Sequence, residues 1–134
     1  MLSYVYGWLA TAATFLALDA LWLSQMTPRV YRPALGPLLA EKANIPAAAA
    51  FYLLYVTGVV VLAIGPALDR GSLTRAAATG AMLGLVAYGT YDLTNQAVLK
   101  DWPLKLSLID MTWGTVLTGI AAGVGFAVVR LASP

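Results

Sequence analysis

The sequence contains no cysteine and no histidine among its 134 residues. Without cysteine the chain can form neither a disulfide bond nor a thiolate metal site, and without histidine it lacks the commonest transition-metal ligand and proton carrier. We therefore expect no haem and no thiolate-bound metal. Any acid–base or metal chemistry has to use carboxylates, tyrosines or lysines.

Charge is scarce as well. Only 10% of the residues are Asp, Glu, Lys or Arg, whereas 60% are hydrophobic. Soluble domains lie far from this balance, so the composition predicts an integral membrane protein whose main partner is the lipid bilayer. The net charge of +2 comes from a few residues between apolar runs. It therefore concerns orientation in the membrane, and nucleic acid is not an expected partner.

Four apolar runs are long enough to form membrane-spanning helices, since about 20 helical residues cross a hydrocarbon layer of about 30 Å. They cover approximately residues 3–26, 46–68, 73–99 and 104–131. The predicted fold is an all-α, integral membrane four-helix bundle that forms one transmembrane domain over residues 1–134. The first run lacks a basic leader and continues past Asp19, which distinguishes it from a signal peptide.

The connections between the runs carry their own signals. In residues 27–45, Pro33 and Pro37 argue against one continuous helix. The Tyr, Arg and apolar residues of the same stretch are typical of an interfacial segment in the headgroup region. Asn44 and Ser72 are the expected N-caps of the second and third helices.

Cations are divided unevenly between the two ends of the predicted bundle. With four spans, both termini lie on one side, and the 27–45 loop and the 100–103 turn lie on the other. The loop side carries five cations and the terminal side three: Arg29, Arg32, Lys42, Lys100 and Lys105 against Arg70, Arg75 and Arg130. The positive-inside rule therefore predicts a multi-pass protein with cytoplasmic loops and external termini.

Three aspartates lie inside the apolar runs, where an ionised carboxylate is costly and an acid is a functional-site hypothesis. Because helix direction alternates, Asp19, Asp92 and Asp110 fall in one layer, about 10 Å from the loop-side ends at 1.5 Å per residue. We interpret them as candidate catalytic residues. Like carboxylates held close together cannot all ionise, so one is expected to keep a proton or to share a bound cation. Three carboxylates would suit a divalent cation such as Mg²⁺.

Aromatic and amide side chains share this layer. The candidate substrate-binding residues are Trp22, Tyr52, Tyr55, Tyr88, Asn95 and Trp113. Helical spacing can turn them toward a common interior, since Tyr88, Asp92 and Asn95 follow i, i+4, i+7. If the last two helices form an antiparallel hairpin, Asn95 comes level with Asp110.

The terminal half of the same hairpin is built of small residues. Glycines are expected to face one another across it: Gly80 and Gly84 on one helix, and Gly119, Gly123 and Gly125 on the other. Because small residues let helices approach closely, the hairpin should be tight at this end and splay into a wedge-shaped cavity at the loop side. An alternative stays open, in which each acid is only a structural acceptor for a Trp N–H or a Tyr hydroxyl.

Several runs resemble a known family. They are LDALWL, FYLLYV, YGTYDLTNQAVLKDWP and IDMTWG. Over nearly its whole length the chain is similar to a family of small bacterial membrane proteins catalogued as a domain of unknown function. The resemblance implies a four-helix protein of the bacterial inner membrane. The occurrence of such proteins near lipid-modification genes implies a lipid-like substrate, and the family brings no established catalytic residues.

Three functions fit these patterns. The first is a protein with an intramembrane acidic–aromatic site near the cytoplasmic face, which binds or modifies a lipid-like or other lipophilic substrate. The second is a small proton- or cation-coupled transporter, for which a homodimer is one arrangement. It is similar in plan to small multidrug exporters but lacks their glutamate in the first span. The third is a non-catalytic membrane scaffold. No nucleophile motif identifies a reaction, so enzymatic activity stays an open question.

Overall fold

A computed structural model of the chain describes residues 1–134, and its secondary structure is entirely helical. Four long helices occupy the four apolar runs: α1 (Leu2–Met26), α2 (Ile45–Asp69), α3 (Leu73–Val98) and α4 (Leu104–Ala132). Within α2 the hydrogen bonds change to the π pattern at Val60–Ile64 and return to the α pattern at Gly65–Asp69.

Two of the helices begin at the caps that the sequence predicted. Asn44 Oδ1 accepts a hydrogen bond from the backbone N–H of Ala47 at 3.1 Å, and Ser72 Oγ accepts one from Arg75 at the same distance. Each bond satisfies a backbone donor that the first helical turn leaves free. Both predicted caps are confirmed.

The segment that follows α1 is more helical than predicted. It continues through a π turn (Thr27–Tyr31), a short α-helical stretch (Arg32–Leu35) and a 3-10 turn (Gly36–Leu38). Residues 27–45 are therefore not one continuous helix, as Pro33 and Pro37 indicated, since the hydrogen-bond pattern changes twice and residues 39–44 are not helical.

Hydropathy marks three helical stretches as long and apolar enough to cross a membrane: Leu2–Leu38, Ile45–Asp69 and Leu104–Ala132. Helix α3 has the length, with 26 residues, but its glycines, threonines and polar residues near Asp92 lower its apolar character. The structure therefore establishes an all-helical protein with three candidate spans, and α3 is the helix on which a fourth span depends.

Helix α4 lies at the centre of the fold and packs along both α3 and α1. On the α3 side, Gly84 lies against Gly114 and Thr118. Gly125, which the sequence placed opposite α3, lies instead against Thr11 of α1. The small residues of α4 therefore serve two helix interfaces, since close approach is needed on both sides.

Large apolar side chains cover the outside of the bundle. Only 28 of the 134 residues are buried, whereas Leu54, Val61 and Ile120 are 75%, 62% and 46% exposed. Soluble monomers rarely expose so much contiguous apolar surface. The outer surface therefore fits contact with lipid chains.

Candidate functional site

Asp19 of α1 connects three helices through its two carboxyl oxygens. Tyr52 Oη of α2 donates to Oδ2, and Trp113 Nε1 of α4 donates to Oδ1 at 3.2 Å. The side chain is buried, with 8% of its surface exposed. Both oxygens are thus engaged by protein groups, which is the bonding expected of a structural acceptor.

Asp110 of α4 lies at the end of a different chain of hydrogen bonds. Tyr31 Oη donates to Asp110 Oδ1 at 2.6 Å and accepts from Trp22 Nε1 at 3.0 Å. The Trp22 ring stacks on Trp113 with centroids 4.3 Å apart and planes within 4°. Because Trp22 occupies the acceptor side of the Tyr31 hydroxyl, the proton of that hydroxyl points to Asp110.

Tyr31 is a site residue that the sequence pattern does not predict. It lies beyond the first apolar run, in the segment predicted to lie in the headgroup region. The π turn Thr27–Tyr31 continues the helix and leaves Tyr31 within reach of α4. Turns of this kind occur often at functional sites, but hydropathy and helical spacing carry no signal for them.

Asp92 of α3 is fully buried, and neither of its carboxyl oxygens receives a hydrogen bond from an N–H or O–H group. Asp110 is the buried acid of the facing helix α4, one turn beyond Ser107, whose hydroxyl oxygen lies 3.4 Å from the Asp92 carbonyl oxygen. Two carboxyl groups can bond to each other only when one of them carries a proton. An unpartnered buried polar group costs about 1–3 kcal/mol, so this arrangement points to a pair that holds a proton.

The three acids therefore divide into a pair, Asp92 and Asp110, and a separate residue, Asp19. No three acidic side chains are placed so that they could hold one metal ion together. A Mg²⁺ ion bound by all three stays a prediction.

The register of the α3–α4 hairpin differs from the one expected. Ser107 Oγ lies 3.4 Å from the carbonyl oxygen of Asp92, so Asp92 comes level with the turn of α4 that precedes Asp110, and Asn95, which the sequence placed level with Asp110, lies closer to the start of α4. The expected pairing was wrong by about one helical turn of 3.6 residues.

Side-chain bonds at the turn account for this register. Ser107 Oγ donates to Gln96 Oε1 at 2.8 Å and accepts from Trp102 Nε1 at 3.0 Å. Gln96 Nε2 donates to the carbonyl oxygen of Trp102 at 3.2 Å. These bonds tie the end of α3 to the start of α4, and they place Asp92 against the first turns of α4.

Tyr55 and Tyr88 lie in the interior and make no hydrogen bond to a carboxylate. Tyr55 Oη and Thr118 Oγ1 are 2.8 Å apart, and the Tyr55 ring meets Tyr88 edge-on with centroids 6.4 Å apart. The Tyr88 ring packs directly on Gly114. These two predicted binding residues thus contact each other and α4, and they do not bond to the acids.

An apolar groove opens between α2 and α3 and ends at Asp110. Its volume is about 320 Å³, and its lining consists of Phe51, Ala87, Tyr88, Tyr91 and Asp110. Phe51 and Tyr91 at the mouth are 46% and 56% exposed. The mouth of the groove therefore opens on the lipid-facing surface. The inner end of the groove holds the carboxyl group of Asp110.

The position of this groove corrects a prediction. A wedge-shaped cavity was expected between α3 and α4 at the loop side. That space is closed, because Ser107 is buried and its hydroxyl group contacts Gln96 and the Asp92 carbonyl oxygen of α3. The open space lies beside the hairpin, since α2 packs on α3 and α4 mainly through its second half around Val60–Ile64.

Comparison with known proteins gives a match to a family model. The model of a family described as "Predicted membrane protein (DUF2177)" matches residues 4–127, a range that includes every residue of the groove and of the carboxyl pair. No curated protein and no solved structure matches the chain.

Proposed function

We propose that this chain, which belongs to the Predicted membrane protein (DUF2177) family, binds a lipid-like or other lipophilic molecule in the groove between α2 and α3. The groove itself carries the proposal, because it combines apolar walls, a lipid-facing mouth and a single carboxyl group at its inner end. Small-molecule sites are typically apolar cavities with a few placed polar groups.

The inner end of the groove favours one kind of polar group. Carboxylate oxygens offer about four lone-pair sites, and Tyr31 uses one of them on Oδ1, so Asp110 can accept from a ligand in addition to sharing a proton with Asp92. A hydroxyl or an ammonium group would donate to Asp110, whereas a second anion would be repelled. We therefore expect a ligand with an apolar chain and a neutral or cationic hydrogen-bond donor.

The proposal includes a membrane arrangement in which all four helices span. Helix α3 runs antiparallel to α4 and packs along it. Its 26 residues extend about 39 Å at 1.5 Å per residue, which exceeds a hydrocarbon layer of about 30 Å. Under the positive-inside rule the carboxyl pair then lies toward the cytoplasmic face of an inner membrane.

The carboxyl pair can also take part in chemistry. A proton held between Asp92 and Asp110 can be given to, or taken from, the polar group of a ligand, as general acid–base catalysis requires. The same proton can be exchanged for a cationic ligand in a proton-coupled transporter. The lack of any other partner for Asp92 favours these two activities over a scaffold.

A photolabelling experiment tests the groove. Vesicles containing the protein are loaded with a long-chain alcohol that carries a diazirine in its chain, illuminated, and the labelled residues are identified by mass spectrometry. We expect labels on Phe51, Tyr88 and Tyr91. Ala87→Trp fills the groove and should reduce this labelling about tenfold, a loss of about 1.4 kcal/mol in binding.

Val86→Trp is the matched control, because Val86 is 58% exposed on the same helix and does not line the groove. Its labelling should stay within a factor of about two of the unmodified protein, which corresponds to less than about 0.5 kcal/mol. Equal labelling in the two variants, or labels spread evenly over lipid-facing residues such as Leu93, would contradict the proposal.

The shared proton has a spectroscopic signature. The unmodified protein should show the carbonyl stretching band of a protonated carboxyl group in its infrared spectrum at neutral pH. Asp92→Asn should abolish this band and retain the fold, because an amide N–H can donate to Asp110 as a carboxylic acid does. Asp110→Asn should abolish it too.

Asp19→Asn serves as the control for this measurement. Asp19 already receives two hydrogen bonds from Tyr52 and Trp113 and does not belong to the pair. The band should therefore persist in this variant. A band that survives both Asp92→Asn and Asp110→Asn would show that the pair holds no proton, and the scaffold function would then be favoured.

A further inference from the structure

A second cleft lies at the loop side, between the segment after α1 and the start of α4. Its volume is about 260 Å³. Its lining combines two cations, Arg29 and Lys105, with apolar side chains that include Val30, Pro33 and Leu106. It shares no lining residue with the groove that ends at Asp110.

We infer that this cleft binds the phosphate headgroup of an anionic membrane lipid. The first argument is charge. Arg29 and Lys105 come from separate elements of the chain and meet at one cleft, and no acidic residue lines it. A pair of cations without an acidic neighbour attracts an anion, and both guanidinium and ammonium groups bind phosphate oxygens.

The second argument is position. Arg29 follows the end of α1 and Lys105 lies in the first turn of α4, so the cleft is at the level where two apolar helices end. In a membrane this is the level of the lipid headgroups. Basic clefts between helices at this depth are a recurrent way of binding anionic headgroups.

The third argument is the mixed lining. A site for free phosphate needs only polar donors, whereas here Val30, Pro33 and Pro103 provide apolar surface next to the cations. A lipid matches both parts, because its phosphate can reach the cations while its glycerol and first chain carbons contact the apolar side chains. The inference does not depend on the groove, since a lipid bound here need not be a substrate.

The test uses the full-length protein, purified in a neutral detergent, and native mass spectrometry. Phosphatidylglycerol, phosphatidylcholine or inorganic phosphate is added, and the retained adducts are counted. We expect phosphatidylglycerol to be retained in preference to phosphatidylcholine. The double variant R29Q/K105Q should lower this retention about tenfold or more, because each cation beside an anionic headgroup contributes about fivefold.

The matched control is K42Q/K100Q, which removes the same charge from two exposed residues of the loop side that do not line the cleft. Its retention of phosphatidylglycerol should change less than about twofold. R29K/K105R keeps the charges and should retain the lipid, which separates loss of binding from loss of folding.

Four results would overturn the inference. Equal losses in the two glutamine variants would mean that only the general surface charge attracts the lipid. Equal retention of phosphatidylglycerol and phosphatidylcholine would mean that the cations do not select the headgroup. Displacement of the lipid by millimolar inorganic phosphate would identify a site for a soluble anion. Loss of retention in R29K/K105R would likewise contradict a phosphate site built on charge.

Discussion

Gly84→Ala is expected to destabilise the protein by about 3 kcal/mol, the upper part of the range for overpacking a tight interface. A methyl group at residue 84 would overlap the carbonyl oxygen of Gly114, and it would lie 2.7 Å from Thr118 Oγ1 and 2.8 Å from Thr118 Cβ. The first obstacle is backbone, which no rotamer change can remove. Helix α3 would have to move away from α4, and Asp92 would move with it.

Gly58→Ala in α2 is the control for this substitution, because a methyl group there meets no atom within 4 Å. Since alanine is favoured over glycine in a helix by about 1 kcal/mol, this variant should be as stable as the unmodified protein or slightly more stable. Unfolding in mixed detergent micelles, followed by circular dichroism, measures both. Equal stability of the two variants would show that α3 and α4 do not approach as closely as described.

Asp19→Ala should have the next largest effect, a loss of about 2 kcal/mol. The variant removes the acceptor of both Tyr52 Oη and Trp113 Nε1, and it breaks the link between α1, α2 and α4. Hydrogen bonds to charged groups contribute about 1.5–3 kcal/mol in soluble proteins but about 0.6 kcal/mol on average between membrane helices. Two hydrogen bonds to Asp19, each with a strength between these two figures, therefore account for the expected loss of about 2 kcal/mol.

The same unfolding measurement distinguishes a structural Asp19 from a catalytic one. Asp69→Ala removes an exposed carboxylate at the end of α2 and should change stability by less than about 0.5 kcal/mol. If Asp19→Ala were equally harmless to stability yet abolished the activity of the folded protein, the structural role assigned to Asp19 would be wrong, and the catalytic role expected from sequence would be favoured.

Much of the helical framework could be predicted from local sequence. The ends of the four helices follow from the limits of the apolar runs, and Asn44 and Ser72 mark two starts because capping is a local interaction. The layer that holds Asp19, Asp92 and Asp110 also follows from helix length and direction alone.

The pairing of side chains could not be predicted in this way. The neighbours of Asp92 depend on the bonds among Gln96, Trp102 and Ser107, which set the hairpin register by tertiary contacts. The groove depends on the direction in which the first half of α2 leaves the bundle. Neither the register nor the groove changes the hydropathy or the helical spacing of the sequence, so neither could be predicted from them.

The π turn after α1 holds both Arg29 and Tyr31 in five consecutive residues. Arg29 lines the surface cleft, and Tyr31 donates to the buried Asp110. A displacement of this π turn would therefore change both the cleft at Arg29 and the hydrogen bond from Tyr31 to Asp110. Equilibrium linkage is reciprocal, so a headgroup that shifts the turn changes the proton affinity inside the bundle, and the state of the proton changes the headgroup affinity by the same factor. If the cleft binds a headgroup and the pair holds a proton, as proposed, the lipid composition of the membrane surface would influence the protonation of the buried pair.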